Sequence, residues 1–225
     1  MNVPCKVLFA ALTFFLPSLC AQDLTKVANV NIVNATTLPL KLDVTYTDTA
    51  GEGGGGEVTL KPGDDMGLFS VDSEQLSIGI ESVDSSLAID PLSGHVKLEG
   101  NTRSNCYVVA IEMVAKKVDG EEVEVPVFRL KKVKAATEEG GYSLTVVSAC
   151  AEPRLLTFAN KQVRLIPWEE QLLAGWKGQP VPIMFEGNII SRIQEHQEPM
   201  TVLTVVYEDE DKNLKFNTFL YALRD

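Results

Sequence analysis

The sequence predicts an all-β fold built from antiparallel strands, and three features support this prediction. First, apolar and polar residues alternate over long stretches, as they do in strands with one buried face, for example at residues 38–47, 107–113 and 216–222. Second, turn-forming residues separate these stretches, as at residues 61–64 and 119–120. Third, stretches with helical periodicity are short and few. Alternation interrupted by tight turns is typical of antiparallel sheets.

The first 21 residues predict a secretory signal peptide. Lys6 is their only charged residue, and a predominantly apolar run follows it at residues 7–16. This run is too short to cross a bilayer, which takes about 20 residues. Small residues follow, so we expect cleavage near Cys20 or Ala21 and export to the periplasm or the cell exterior.

Two alternatives for this segment are weaker. A lipoprotein signal would place the acyl chain on Cys20, but Leu19 precedes it where such signals carry a small residue. A buried N-terminal helix is the other alternative. The order of basic residue, apolar run and small residues favours the signal peptide.

The composition indicates a folded and acidic protein. The chain has 225 residues, of which 45% are hydrophobic and 23% are charged, which is ordinary for a chain with a packed core. Its formal net charge is −11, and loss of the signal peptide with Lys6 would make it −12. Such a charge repels phosphate backbones, so we expect no nucleic acid as a partner. No second long apolar run follows, so we expect no transmembrane segment in the mature chain.

Comparing the chain with itself predicts two copies of one β unit. The matched segments are, in order, 30–35 with 144–149, 58–62 with 163–167, 76–81 with 181–186, 107–111 with 202–206, and 123–130 with 216–223. The difference in residue number between matched segments decreases along the chain and never increases. Each decrease coincides with turn-rich sequence, as insertions into the loops of copy one would produce. We expect copy one at residues 24–134 and copy two at residues 142–225, joined by a polar linker.

Each copy has the size and strand number of an immunoglobulin-like β-sandwich. The predicted fold is therefore two tandem immunoglobulin-like antiparallel β-sandwich domains that follow an N-terminal signal peptide. Pro126 interrupts a strand pattern and should lie on an edge or at a bulge. The glycines at residues 51–56, which copy two lacks, are expected to form a flexible loop.

Two motifs of copy one resemble those of secreted bacterial β-sandwich proteins. The opening strand Val-Asn-Ile-Val-Asn-Ala-Thr spans residues 30–36, and the turn Leu-Lys-Pro-Gly-Asp spans residues 60–64. Copy two departs from this pattern at residues 148–150 and 167–168. The resemblance implies a sandwich protein of the cell envelope, of undefined role, and it assigns no functional residues.

The mature chain keeps two cysteines, Cys106 in copy one and Cys150 in copy two. An oxidising compartment would permit a disulfide between them, which would tie the two copies together near the linker. Two buried thiols are the alternative, since unmodified cysteine is common in protein cores. The sequence leaves both possibilities open and slightly favours the thiols.

No motif for catalysis, a cofactor or a metal stands out, so the predicted protein is not an enzyme and needs no cofactor. The chain lacks Gly-x-Ser-x-Gly, phosphate-binding loops and zinc-binding spacings. His95 and His196 lie in polar, turn-like sequence and are expected on the surface. The acidic run at residues 208–211 is expected at a solvated hairpin tip, because neighbouring strand residues point to opposite faces and cannot all converge on one calcium ion. The pairs at residues 64–65 and 169–170 are likewise expected in solvated turns.

Residues 167–176 form the one conspicuous aromatic segment. A proline, early acidic residues and a late glycine predict a short helix there. Trp168 and Trp176 could contact a sugar or a protein partner, or they could instead cover the core.

The function predicted from these features is a non-catalytic exported protein. It would be structural, or would bind an as yet unidentified protein partner, in the cell envelope or outside the cell. One alternative is a carbohydrate or small-ligand binding module that uses the two tryptophans. Another is a periplasmic chaperone-like protein of two domains. The acidity of the chain argues against the chaperone, although Arg129, Lys131 and Lys132 form a basic cluster.

Overall fold

The computed structural model describes residues 28–98, 104–118, 120–133, 142–158, 161–167, 170–176, 181–185, 188–193 and 200–222. The predicted signal peptide, its cleavage site and the linker lie outside these residues. Every regular element in the described part of the chain is a β-strand, which confirms the all-β fold class. Among these residues there is no helix long and apolar enough to cross a membrane.

The first half of the chain contains eight strands, which are β1 (Ala28–Asn34), β2 (Leu40–Thr47), β3 (Gly53–Leu60), β4 (Asp65–Val71), β5 (Gln75–Ser82), β6 (Leu92–Lys97), β7 (Ser104–Val118) and β8 (Glu121–Lys132). Sheet I has the order β4-β1-β7-β8, and sheet II has the order β3-β2-β5-β6. Alternate apolar residues of the two sheets meet in one core. Ile32 and Phe128 of sheet I, with Leu42 and Ile80 of sheet II, are at most 1% exposed. Sheets I and II therefore form a sandwich.

The second half also contains eight strands, which are β9 (Tyr142–Ala149), β10 (Arg154–Phe158), β11 (Lys161–Leu165), β12 (Glu170–Trp176), β13 (Val181–Phe185), β14 (Asn188–Ile193), β15 (Met200–Glu208) and β16 (Leu214–Ala222). Sheet III has the order β12-β9-β15-β16, and sheet IV has the order β11-β10-β13-β14. These orders repeat those of sheets I and II, with each strand number raised by eight. The five segment pairs matched in sequence fall on strands at equivalent positions.

Each half departs from the expected antiparallel pattern at one strand pair. β1 lies parallel to β7, and β9 lies parallel to β15. Parallel neighbours need a long crossover connection. Here the connection contains all of sheet II in the first half and all of sheet IV in the second. Local alternation reports which face of a strand is buried and carries no information about the direction of a distant neighbour.

The glycine-rich segment is a strand, so the predicted flexible loop was wrong. Residues 53–56 pair with the end of β2 in a regular antiparallel ladder. The Tyr46 ring covers Gly54 so closely that a Cβ atom there would lie 2.4 Å from the ring Cζ. An aromatic residue that covers a glycine on the neighbouring strand compensates for the packing that the glycine lacks.

The predicted helix at residues 167–176 was also wrong. Residues 170–176 form β12, which pairs antiparallel with β9, and a bulge lies between Leu173 and Trp176. The local signals for a helix were those of a single short turn, and pairing along a neighbouring strand outweighs such weak preferences. Pro126 does lie on β8, the edge strand of sheet I, as its sequence context predicts.

The outer face of sheet I packs against sheet III. Val33, Cys106 and Val108 of sheet I share a buried apolar cluster with Leu203 and Val205 of sheet III. Polar contacts beside this cluster join the turn after β3 to the β15–β16 hairpin. Asn217 Nδ2 donates a hydrogen bond to Gly63 O at 2.7 Å, and Lys61 Nζ lies 3.3 Å from Glu210 Oε1. Sheets II, I and III therefore lie in three successive layers.

Candidate interaction site

The hairpin of β7 and β8 extends well past the sandwich. β1 covers β7 only along residues 104–109, whereas the pairing of β7 with β8 continues to Val118 and Glu121. Asp90 adds one bridge to the outer edge of β8 at Val127. Beyond that point, at residues 113–118 and 121–126, the hairpin is a two-stranded ribbon that we call the arm. The equivalent strands β15 and β16 have only nine residues each, so the arm belongs to the first half alone.

The turn at the tip of the arm follows from the sequence. Only residues 119 and 120 separate β7 from β8, and Gly120 has a φ of 89°. An Asp-Gly pair favours two-residue hairpin turns, because glycine adopts positive φ without a steric cost. The pairing of Val118 with Glu121 confirms the hairpin predicted here.

The arm exposes apolar side chains on both faces. Met113 is 50% exposed, Val118 is 49% exposed and Val123 is 44% exposed. Directly paired residues point to the same face of a ribbon, so the register of Val114 with Val125 places Val114, Val118, Val123 and Val125 on one face. This face continues the outer face of sheet I. A two-stranded ribbon has little stability of its own, so exposed valines on it require explanation.

Charges of opposite sign lie on the two strands of the arm. β7 carries Lys116 and Lys117, and β8 carries Glu121, Glu122 and Glu124. Lys117 is directly opposite Glu122, where opposite charges stabilise an antiparallel pair modestly. The Lys116 ammonium forms an ion pair with the Asp90 carboxylate.

A group of three charged residues lies at the root of the arm, on the same outer face. Lys131 Nζ lies 2.5 Å from Glu112 Oε1, and Arg129 Nε lies 3.4 Å from Glu112 Oε2. The hydrogen bond from Lys131, together with the positive charges of both basic residues, holds the pKa of Glu112 below its ordinary value. Two cations therefore share one carboxylate, which leaves the root with one excess positive charge. Arg129 and Lys131 belong to the basic cluster seen in the sequence, and here they pair with an acid of their own sheet.

A groove of about 530 Å³ lies between the turn after β3 and the β15–β16 hairpin. Its lining residues are Thr37, Pro39, Lys61, Pro62, Asp64, Tyr207, Glu208, Asp209, Glu210 and Asp211. Most of the carboxylates already have partners. Asp64 accepts a hydrogen bond from Lys61 N at 3.1 Å, and Asp209 accepts bonds from Asp211 N and Asn213 N at 3.0 and 2.8 Å. Glu208 binds the Arg154 guanidinium.

These contacts give the acidic run a structural role. Asp209 closes the turn of the β15–β16 hairpin, as expected for a solvated hairpin tip. In the described ranges, no group of three or more His, Cys, Asp or Glu residues is arranged to hold a metal ion. Next to the groove, burial and the charge of Asp64 raise the pKa of Asp65.

Cys106 and Cys150 are both buried thiols in the structure, with no disulfide between them. Cys106 lies in the apolar cluster between sheets I and III. Cys150 follows β9, and burial raises the pKa of its thiol. A raised pKa keeps the thiol protonated and unreactive at neutral pH.

The remaining residues singled out in the sequence are the two tryptophans and the two histidines. Trp168 and His196 lie outside the described residues. Trp176 ends β12, where its backbone pairs with Tyr142. His95 lies on β6, with Nδ1 2.9 Å from Ser77 Oγ on the neighbouring strand. A contact site formed by Trp168 and Trp176 therefore stays a prediction.

Sequence reasoning missed the arm as a site. One signal was present, because valines alternate with charged residues on both sides of Asp119-Gly120. That pattern predicts a hairpin and does not show how far the hairpin extends past its neighbouring strands. The extent depends on where β1 ends, which is a property of the assembled sheet.

Comparisons with known proteins place few constraints on this chain. No protein-family model matches it, and no curated protein matches it. Among solved structures, it is similar to a "putative cell adhesion protein" from Bacteroides eggerthii DSM 20697. The similarity has a TM-score of 0.22 and 5% sequence identity, and it covers 88% of this chain and 96% of the other. A TM-score this low assigns neither a fold nor a role to this chain.

Proposed function

We propose that this chain is an exported, non-catalytic protein that binds a protein partner through the arm of β7 and β8. It has a signal peptide at residues 1–21 and two immunoglobulin-like domains at residues 24–134 and 142–225. The repeated strand order of the two halves supports this division. The site of action is the cell envelope or the cell exterior.

The arm is the observation that carries the proposal. Its residues contribute nothing to the sandwich core, yet they place half-exposed Met113, Val118 and Val123 on a projecting ribbon. Such a ribbon gains stability when a partner covers its apolar face or extends its ladder. Proteins ordinarily protect exposed strands against accidental pairing, so an exposed apolar ribbon indicates an interaction site.

The chemistry of the arm favours a polypeptide as the partner. Valine side chains and strand edges match the apolar side chains and backbone groups of another protein. A sugar site would call for aromatic platforms and convergent polar groups, and the described residues of the arm include no aromatic side chain. The net charge of −11 repels nucleic acid.

Site-specific photo-crosslinking in native envelopes tests this proposal. A photoreactive amino acid at Val118 should give adducts of discrete mass, because this side chain lies on the proposed binding face. The same amino acid at Val83, which is 54% exposed but far from the arm in sequence, is the matched control and should give none.

Competition makes the test specific. Excess unlabelled protein should abolish the Val118 adducts. A variant in which residues 114–125 are replaced by an Asn-Gly turn should fail to compete. Equal labelling from Val118 and Val83, or adducts that persist with the competitor, would contradict a role for the arm.

A further inference from the structure

We propose that the partner of the arm is a second copy of this chain, and that two arms pack face to face about a two-fold axis. This inference rests on the proposed function, in which the arm binds a protein. It is based on the charges and apolar residues of the outer face of the hairpin. They match those of the same face in a second copy that is rotated by half a turn, so that its tip lies over the root of the first.

The residue pattern of this face follows from the strand register. Paired residues share a face and alternate residues along a strand lie on the same side. From the root towards the tip, the five pairs on the outer face are Ala110 with Arg129, Glu112 with Val127, Val114 with Val125, Lys116 with Val123, and Val118 with Glu121. The central pair is aliphatic on both strands, and the charged pairs lie on either side of it.

A two-fold axis through the central pair brings unlike charges together. The axis lies in the plane between the two faces and is perpendicular to the strands. β7 of one copy therefore lies over β7 of the other, and β8 lies over β8. The strands that face each other run in opposite directions. Arg129 of one copy then lies over Glu121 of the other, and Glu112 lies over Lys116. Each such contact occurs twice, as a two-fold interface requires.

The apolar residues are matched by the same operation. Val114 and Val125 each lie over their own counterparts at the axis. Val123 of one copy lies over Val127 of the other, and Val118 lies over Ala110. Neighbouring groups of their own chain already cover Val127 and Ala110 to 8% and 1% exposure. No charged residue faces a valine in this arrangement, and the apolar surface that it newly covers is that of Val114, Val118, Val123 and Val125.

The charge balance of the separate copies adds to this complementarity. The root has one excess positive charge, because Arg129 and Lys131 share Glu112. At the tip, Glu121 is exposed and carries a negative charge on the same face. The tip of each arm therefore meets the root of the other with opposite sign.

The second arm would also continue an interface that already exists. Sheet III covers the root end of the outer face of sheet I, where Val33, Cys106 and Val108 are buried. Stacked sheets lie about 10 Å apart, so an arm from a second copy would occupy the same layer as sheet III. It would cover the part of sheet I that sheet III leaves exposed.

Pairing of the arms along their edges is less favourable. The outer edge of β8 carries Glu121, Glu122 and Glu124, so two β8 edges would repel each other. The edge of β7 carries Lys116 and Lys117, which would likewise repel. The face-to-face arrangement avoids both repulsions. Its contact area is small beside that of stable dimers, so we expect a weak, concentration-dependent dimer.

Charge-reversal variants test the pairing, with dimerisation measured by sedimentation velocity. Glu121→Lys and Arg129→Glu should each weaken dimerisation at least about tenfold, because each places like charges opposite each other in two symmetric contacts. The double variant Glu121→Lys/Arg129→Glu should recover the dimer. Lys41→Glu, on sheet II and outside the arm, is the control and should leave the dimer unchanged. Circular dichroism melts establish that each variant is folded.

Crosslinking tests the position of the axis. A Val125→Cys variant places its thiol at the axis and should form dimers with a short bismaleimide. In a Val118→Cys variant the two thiols would be about 27 Å apart at roughly 3.4 Å per residue, and it should not crosslink to itself. Wild-type protein that remains monomeric at all concentrations would overturn the inference, as would a double variant that fails to recover the dimer. If the Val118 photo-adducts then contain a different protein, the proposed function survives and only the identity of the partner changes.

Discussion

Replacement of Asn34 by alanine should destabilise the protein more than any exposed substitution, because this side chain satisfies a buried network. Asn34 ends β1 and is fully buried. Its Nδ2 atom donates hydrogen bonds to Leu38 O at 2.8 Å and to Leu60 O at 3.0 Å. Its Oδ1 atom accepts bonds from Thr36 N at 2.9 Å and Thr36 Oγ1 at 2.8 Å. One side chain therefore joins the β1–β2 loop to the end of β3.

The magnitude follows from the groups left without partners. In Asn34→Ala, the Thr36 N–H loses its acceptor and Leu60 O loses the bond from Nδ2. Leu38 O also loses its bond from Nδ2, but the Thr36 hydroxyl, whose one proton Asn34 Oδ1 no longer accepts, can donate to it at 3.0 Å. A buried polar group without a partner costs about 1–3 kcal/mol, so two such groups predict a loss of about 3 kcal/mol. For a chain of this size, that corresponds to a decrease in Tm of roughly 6–12 °C.

Copy two supplies a matched control. Ser148 occupies the position equivalent to Asn34, is equally buried, and accepts one long hydrogen bond from Cys150 N at 3.3 Å. Ser148→Ala should therefore cost only about 1 kcal/mol. Urea unfolding followed by far-ultraviolet circular dichroism measures both variants. A loss below 1 kcal/mol for Asn34→Ala, or equal losses for the two variants, would refute the reasoning.

Two further predictions concern the contact between the sheets and the state of the cysteines. In thermal melts, Gly63→Ala should destabilise the protein more than Gly120→Ala, although both glycines have φ values above 80°. A Cβ atom at Gly63 would lie 2.4 Å from the Tyr207 ring, whereas a Cβ atom at Gly120 would meet nothing within 4 Å. Equal losses would show that the contact with Tyr207 is absent. Cys106 and Cys150 should react with iodoacetamide once the protein is denatured, with no reductant needed, and not before, since both are buried thiols. A faster-migrating band on a non-reducing gel would instead reveal a disulfide between them.

The sequence was informative about strands because alternation records burial directly. β2 shows the relation clearly, since Leu40, Leu42 and Val44 are fully buried and the residues between them are not. The matched segments of the two halves also fall on strands at equivalent positions in the repeated strand order. The turn at residues 61–64 follows from its proline and glycine, and Gly63 indeed has a φ of 82°.

Features that depend on distant neighbours were not visible in the sequence. The residues at 53–56 lack side chains and read as a loop, yet pairing with β2 and cover by Tyr46 make them a strand. The parallel pair of β1 and β7 joins residues 75 positions apart, and no local pattern encodes its direction. The helix expected at residues 167–176 was wrong for the same reason, since β9 supplies the pairing.

The contact between sheets I and III explains why the arm could not be recognised as a site from the sequence. The outer face of β7 carries apolar residues both at its root, at Cys106 and Val108, and on the arm, at Val114 and Val118. The root end of this face is buried against sheet III, and the arm end is exposed. Apolar residues on one face of one strand are therefore buried at the root and exposed on the arm, and only the assembled sheets distinguish the two.

The two halves share their strand order and differ at their outer faces, and this difference supports the arm as the proposed binding site. The equivalent hairpin of the second half stops after nine residues per strand, and the face that contains Leu203 and Val205 is buried against the first half. The first half extends β7 to fifteen residues and β8 to twelve, past the reach of that contact. A longer hairpin in only one of two similar units adds no stability to either core. Its apolar face and its charged root and tip are therefore best explained by a partner outside the chain.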